Sequence, residues 1–159
     1  MTSYWSTVDT PAGPFTVVVD GDGAVIGSDF TADLDALLCP VPEHHKNDLG
    51  HATQAVAKYF AGDLNAIDEV PVQQKTSGQF LATAWEILRT VPAGAPVTYT
   101  EFAAKAGNPA AVRAAAQACA RNAAALFVPC HRVIRSDGSL GGFRWGLPVK
   151  RWLLEHEAH

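Results

Sequence analysis

The sequence predicts an α/β N-terminal lobe, built as a small antiparallel sheet plus a helix. A mostly helical C-terminal lobe containing a helix-turn-helix follows. Three observations lead there. Apolar, β-branched runs flank a Gly/Asp turn near the start, and helix caps with apolar residues at helical spacing fill the chain from Ser77 onward. Charge divides the same way. Residues 1–70 hold Lys46 and Lys58 against eleven acidic residues, a net −9, whereas residues 71–159 hold ten Lys/Arg against five acids, a net +5. The division is expected at 70/71, giving lobes 1–70 and 71–159.

The elements follow in order. Phe15-Thr16-Val17-Val18-Val19 reads as a strand, Asp20-Gly21-Asp22-Gly23 as a turn, and Ala24-Val25-Ile26-Gly27 as the return strand of a hairpin. Residues 40–50 are polar and proline-bearing, hence a loop. His51 to Phe60 fits a short helix with Ala52, Ala55, Val56, Tyr59 and Phe60 on one side, ended by Gly62. Ser77 can cap a helix running to about Arg89, with Phe80, Ala84, Trp85 and Leu88 at helical spacing. Thr98 and Glu101 have the spacing of a capping box for the next helix, which stops at Gly107. Asn108-Pro109 then restarts helix at once, as cap and first residue, through about Arg121. Asn122 can close that helix in the left-handed conformation. Ser136-Asp137-Gly138 marks a turn, and Val149 to Glu157 a last helix with Trp152, Leu153 and Leu154.

Composition excludes several classes. An apolar content of 48% is too high for a disordered chain. No apolar run approaches the roughly 18 residues of a membrane span, so no membrane partner is expected. Met1-Thr2-Ser3-Tyr4-Trp5 shows no basic region followed by an apolar stretch, so no secretory signal is expected. Cys39, Cys119 and Cys130 are too few for a disulfide framework, which points to a reducing, cytoplasmic compartment.

Chemistry concentrates at Pro129-Cys130-His131-Arg132-Val133-Ile134. The thiolate is the nucleophilic form of cysteine, and an imidazole can take the thiol proton directly or through one water. Strand neighbours point to opposite faces, but Pro129 ends regular pairing, and on a turn both side chains can reach one cavity. Upstream, the helix-turn-helix carries a stripe of Arg113, Gln117 and Arg121 at four-residue steps among Ala110, Ala111, Ala114, Ala115, Ala116, Ala118 and Ala120. Small residues let a helix backbone approach a duplex closely while arginines meet phosphates or enter a groove. The alternative is an alanine-rich helix packed in the lobe with its arginines solvated. Cys130 lies eight residues past Asn122, so the helix pair delivers a nucleophile to whatever it binds.

Together, Thr98-Tyr99, Gly107-Asn108-Pro109, Ala111-Val112-Arg113, Asn122 and the Pro129–Ile134 segment resemble the O6-alkylguanine-DNA alkyltransferases (methylated-DNA–protein-cysteine methyltransferases). Gly142-Phe143-Arg144-Trp145-Gly146 and Lys150 are most similar to the C-terminal module of the bacterial adaptive-response alkyltransferase. The resemblance is dense from Ser77 to Glu157 and thinner before residue 70. It implies single-turnover repair of double-stranded DNA: an alkyl group passes irreversibly from O6 of guanine, with O4 of thymine a further candidate, to Cys130. His131 is implied as base through a water, Glu157 as its orienter, and Asn122 as holder of the turn. Tyr99 is implied as hydrogen-bond donor to the leaving base. Minor-groove binding with nucleotide flipping is implied too. Arg113 would fill the vacated stack, and Gln117, Arg121, Ala114, Thr98 and Arg144 would line the DNA side. Neither a cofactor nor a metal is implied, and the chain is expected to act as a monomer. Cys39, His44, His45 and His51 match no standard zinc spacing.

Two other readings of the residues stand beside this one. A non-catalytic lesion-binding module would need no acceptor, and Cys130 argues against it. A sequence-reading regulator would display longer polar side chains than this alanine surface. Trp145 is bulky where some members carry small residues, which bears on the tolerated alkyl size.

Overall fold

The computed structural model describes residues 2–76 and 78–158. It forms two compact units. The first is Met1–Lys75 with Ala123–Phe127, and the second is Thr76–Asn122 with Val128–His159. The expected boundary at 70/71 therefore lies at 75/76, and an apolar run read as part of the second lobe belongs to the first.

In the first unit a four-stranded sheet has the order β3-β2-β1-β4, from β1 (Ser3–Thr10), β2 (Gly13–Asp20), β3 (Val25–Asp29) and β4 (His44–His45). The predicted hairpin is β2–β3, antiparallel, with its turn held by the Asp20 carboxylate accepting from the Asp22 and Ala24 N–H groups at 2.9 and 3.1 Å. β1 was not anticipated. It pairs antiparallel with β2 along its whole length, from Ser3–Asp20 to Thr10–Gly13. The Thr10 hydroxyl closes that hairpin by donating to the Gly13 carbonyl (2.6 Å), and Gly13 takes a φ of +114° that its lack of Cβ permits. β4 falls inside the expected loop 40–50 and pairs parallel to β1, so the sheet is mixed rather than purely antiparallel. Helix α1 (His51–Phe60) buries Ala52, Ala55, Val56 and Tyr59 as its spacing requires.

β2 is central, and Phe15 through Val19 are all buried. Phe15 packs on Phe30 and Phe127, with ring centroids 4.6 and 6.4 Å away. The run Ala123–Phe127 joins this unit because β3 has a free edge. Ser28 N–H donates to the Ala123 carbonyl (2.8 Å), Ala125 N–H donates to the Ser28 carbonyl (3.0 Å), and the Ser28 hydroxyl donates to the Ala125 carbonyl (2.8 Å). A free edge with unsatisfied backbone groups recruits such a segment, and its apolar side chains then enter the core.

The second unit holds α2 (Gln79–Leu88), β5 (Val97–Thr98), α3 (Tyr99–Lys105), α4 (Val112–Ala120), β6 (Val133–Ile134) and α5 (Leu147–Glu157). The Ser77 cap lies outside the described residues; α2 buries Ala84, Trp85 and Leu88, and the Trp85 indole donates to the Ala118 carbonyl of α4 at 3.0 Å. The capping box is formed: Thr98 Oγ1 accepts from Glu101 N–H, and Glu101 Oε1 accepts from Thr98 N–H. β5 and β6 make a short parallel pair that local sequence did not reveal.

Three terminal assignments differ. Asn108-Pro109 does not start α4. The Asn108 carboxamide oxygen accepts from Ala110 N–H and its carbonyl from Ala111 N–H, so these residues make a turn and the helix begins at Val112. Asn122 is not left-handed; the one non-glycine residue of positive φ among the described residues is Leu126, at +74°. The last helix begins two residues before the expected Val149, on Gly146 (φ +100°) with Pro148 in its first turn.

Ser28→Ala removes a buried donor and leaves the Ala125 carbonyl one bond short. The expected loss is about 1–2 kcal/mol in urea unfolding. An unchanged midpoint would mean that the bond does not anchor the run.

Candidate active site

The turn carrying the thiol is built by hydrogen bonds to one carbonyl. Val128 O accepts the Asn122 side-chain amide at 2.7 Å and the Cys130 N–H at 2.8 Å. Asn122 is buried, and it clasps the two ends of the segment that leaves the second unit after Asn122 and returns at Val128. Pro129 has no N–H to extend a strand, and Cys130–Arg132 form a single 3-10 turn. Cys130 keeps 9% exposure, enough to be reached from outside yet held by the surrounding chain.

The next two residues bury their side chains around one carboxylate. Glu157 Oε2 lies 2.7 Å from His131 Nε2, Arg132 Nε donates to Glu157 Oε1 at 2.9 Å, and a second guanidinium nitrogen donates to Oε2 at 3.0 Å. The remaining guanidinium nitrogen donates to the Val91 carbonyl at 2.8 Å. Burial alone would raise the Glu157 pKa, but His131 and Arg132 outweigh it and hold it at about 2. Burial also lowers the His131 pKa, against the pull of Glu157 and with help from Arg132 and Lys150. The physical reason is charge balance. Arg132 and Glu157 already neutralise one another, so an imidazolium would bury an extra positive charge. An ionised carboxylate only accepts, so neutral His131 carries its hydrogen on Nε2 and presents the lone pair of Nδ1.

Three further groups interact electrostatically with Cys130. The Tyr99 pKa is pushed up to about 12, mainly by burial, then by the Cys119 and Cys130 charges, so Tyr99 remains a phenol donor at neutral pH. Lys150 is fully buried; its Nζ donates to the Val133 carbonyl at 2.7 Å and stands 6.0 Å over the Tyr99 ring. Burial lowers its pKa, while the Cys130 and Cys119 charges act in the opposite direction. Cys119, on α4, interacts with the same groups.

The structure thus gathers Cys130, His131, Glu157, Asn122 and Tyr99 within the second unit. On α4, Arg113, Ala114 and Gln117 are exposed, as is Arg121 just past its end, while Ala115 and Ala118 are buried on the opposite side. Thr98 is half-buried, with its hydroxyl engaged in the cap. Arg144 is exposed, its guanidinium 4.6 Å over the Trp145 ring. Among the described residues no group of three or more His, Cys, Asp or Glu side chains is placed to hold a metal. Sequence reasoning missed Arg132, Lys150 and Cys119 as parts of the site. A signal existed for Lys150: with Leu153 and Glu157 it falls at i, i+3, i+7 on the buried side of α5.

Comparison with known proteins gives a consistent result. Residues 79–159 match the family described as 6-O-methylguanine DNA methyltransferase, DNA binding domain. The chain is 33% identical to the methylated-DNA–protein-cysteine methyltransferase of Salmonella typhimurium, covering 96% of this chain and 94% of that protein. Over 79 residues it is 51% identical to the bifunctional transcriptional activator/DNA repair enzyme Ada of Escherichia coli, which is half of this chain and 22% of that longer protein. Among solved structures, Mycobacterium tuberculosis OGT in complex with DNA matches with a TM-score of 0.80 at 29% identity, covering 98% and 92% of the two chains.

The buried network sets two expectations. Glu157→Gln leaves the Arg132 charge without its counter-ion, at an expected cost of about 3–5 kcal/mol in urea unfolding. For the parent protein both shifts run the same way with pH. His131 titrates below its ordinary 6.5 when folded, and Glu157 falls from 4.5 to about 2. The unfolded chain therefore takes up protons first as pH drops. Stability is full above pH 6.5, falls below it through His131, and falls again between 4.5 and 2 through Glu157. A flat stability profile from pH 7 to 3 would contradict the assigned charge states.

Proposed function

The chain belongs to the 6-O-methylguanine DNA methyltransferase family, and we propose that it repairs DNA by accepting the lesion's alkyl group on its own Cys130. Its activity is that of a methylated-DNA–protein-cysteine methyltransferase, and DNA is its partner. The observation that carries the residue assignment is the buried His131–Glu157 bond of 2.7 Å directly beside Cys130, on a turn clamped by Asn122. It supplies nucleophile, base and orienter in one element.

His131 Nδ1 takes the Cys130 proton through a water, and Glu157 holds the ring. The thiolate attacks the alkyl carbon on O6 of guanine; the new S–C bond forms as the C–O bond breaks. The electron pair goes to the base, where the Tyr99 phenol donates a hydrogen bond against the developing charge. The reaction needs the nucleotide out of its stack. The exposed face of α4 supports entry by the minor groove, with Ala114 allowing close approach, Arg113 filling the vacated space, and Gln117 and Arg121 on the backbone side. Thr98 and Arg144 are assigned to the same DNA side, and thymine O4 is a second lesion for the same nucleophile. A thioether is a poor leaving group, so each molecule acts once. All site groups come from one chain, which supports action as a monomer. No helix among the described residues is long and apolar enough to cross a membrane, and three free thiols suit a reducing cytoplasm.

Incubation with a duplex carrying one methylated guanine should add a single methyl mass to the protein, located on Cys130. Cys130→Ala should abolish transfer while retaining binding to the same duplex. An unmodified Cys130 under these conditions overturns the assignment.

A further inference from the structure

The parallel pair β5–β6 delivers two side chains to one place. Its register pairs Val97 with Val133 and Thr98 with Ile134. The residues that leave its two ends are therefore Tyr99 and Arg135. The pairing persists one step beyond them, because the Thr100 and Ser136 hydroxyls lie 3.3 Å apart. Gly141 (φ +74°) gives an independent fix. A Cβ there would stand 3.2 Å from Tyr99 Cε2, 3.3 Å from the Tyr99 hydroxyl oxygen and 3.5 Å from Arg135 Cγ. The Arg135 stem and the phenol thus border the same glycine. Backbone bonds hold that stem. Arg135 N–H donates to the Ser139 carbonyl at 2.9 Å, and the Arg135 carbonyl accepts from Gly138 N–H at 3.0 Å. The residue is nonetheless exposed. Asp137 feels its charge, but the Asp137 carboxylate is engaged by the Ser139 N–H and hydroxyl at 2.9 and 2.7 Å.

We propose that Arg135 is a DNA-contacting residue that holds a backbone phosphate of the flipped nucleotide at the mouth of the site. The proposal rests on the reading that Cys130 attacks a base turned out of its stack and that Tyr99 meets that base. A nucleotide leaving the duplex carries its two flanking phosphates with it. Those anions arrive where the pocket opens, beside the group that receives the base. Arg135 stands there, its stem along the glycine that borders the phenol and the residue open to solvent. A guanidinium presents paired N–H donors that match phosphate oxygens. Charge agrees with the geometry: burial pushes the Tyr99 pKa up to about 12, and the Arg135 charge pulls against it. This contact differs from those assigned to Gln117 and Arg121. Their side chains meet duplex backbone whether or not a base is flipped, whereas the mouth receives a phosphate only after the nucleotide has left the stack. Binding energy from Arg135 is therefore realised in the flipped state and favours it.

The test compares the full chain with Arg135→Gln and Arg135→Lys. Single-turnover transfer is timed with a methylated duplex and with the free base O6-methylguanine, which has no phosphate. Arg135→Gln should slow the duplex reaction about tenfold, the size of one lost charge-assisted hydrogen bond. It should leave the free-base reaction unchanged, and Arg135→Lys should recover most of the duplex rate. Binding is then measured against salt in a Cys130→Ala background, so that no transfer intervenes. Adding Arg135→Gln should make the salt dependence on the methylated duplex shallower by one phosphate contact, a slope change of about 0.9. The slope on the unmethylated duplex should stay as it was. An equal loss with the free base means that Arg135 acts through Tyr99 and overturns the proposal. An equal slope change on both duplexes, or an unaltered duplex rate, overturns it too. Arg135 is exposed and its turn is held by backbone bonds, so both variants keep the fold. Methyl transfer to Cys130 by the parent reports the acceptor reading separately. A parent that transfers, matched by Arg135→Gln, removes only the phosphate contact, whereas a parent that does not transfer removes the reading itself.

Discussion

Glu157 is a carboxylate with no access to water, and everything chemical in the second unit is arranged around keeping it ionised. A lone buried carboxylate would take up a proton, because the desolvation cost of its charge is several kcal/mol. Arg132 prevents this with two hydrogen bonds, and Val91 holds the remaining edge of the guanidinium. His131 then receives a fixed, negative acceptor on Nε2, which leaves the lone pair on Nδ1. The closing helix approaches tightly: a Cβ at Gly94, whose φ is +81°, would stand 2.9 Å from the Glu157 carbonyl. The turn after α2 is therefore shaped to admit the end of α5, and the acid reaches the imidazole only because that turn yields the space.

The thiol-bearing turn depends on a different constraint. The chain between Asn122 and Val128 belongs to the first unit, so the turn is bounded by a departure and a return. Asn122 closes that gap with a side-chain bond to the carbonyl that also accepts from Cys130 N–H. One asparagine thus links the end of α4 to the turn that carries Cys130.

Charge distribution has a functional sense in this frame. The carboxylates are concentrated in residues 1–70, while the basic groups of α4 are exposed on the unit that contains Cys130. A polyanion is drawn to the second unit by its excess of Lys and Arg. Inside that unit the sign is managed differently: Lys150 and Arg132 are both buried, each tied to a backbone carbonyl, and Arg132 is balanced by the Glu157 carboxylate.

What local sequence determined was what short-range chemistry determines. The capping box at Thr98, the helix spacing of α1 and α2, the Asp20 turn and the Cys130–His131 juxtaposition all lie within a few residues and were readable. The ends of α4 were misread because Asn108 and Asn122 have two competing uses, and only packing selects between a cap and a turn or between a left-handed close and a side-chain clamp. Tertiary structure alone decided the rest. Strand β1 found its partner across a hairpin whose turn residues did not announce two long strands. Ala123–Phe127 went to a free sheet edge nearly one hundred residues away in sequence, at Ser28. Arg132 and Lys150 became parts of the site because the Cys130 turn and α5 meet there. Periodicity reports which face of an element is buried, never which buried faces will meet, and a charged residue on such a face becomes legible only once its counter-charge arrives from elsewhere in the chain.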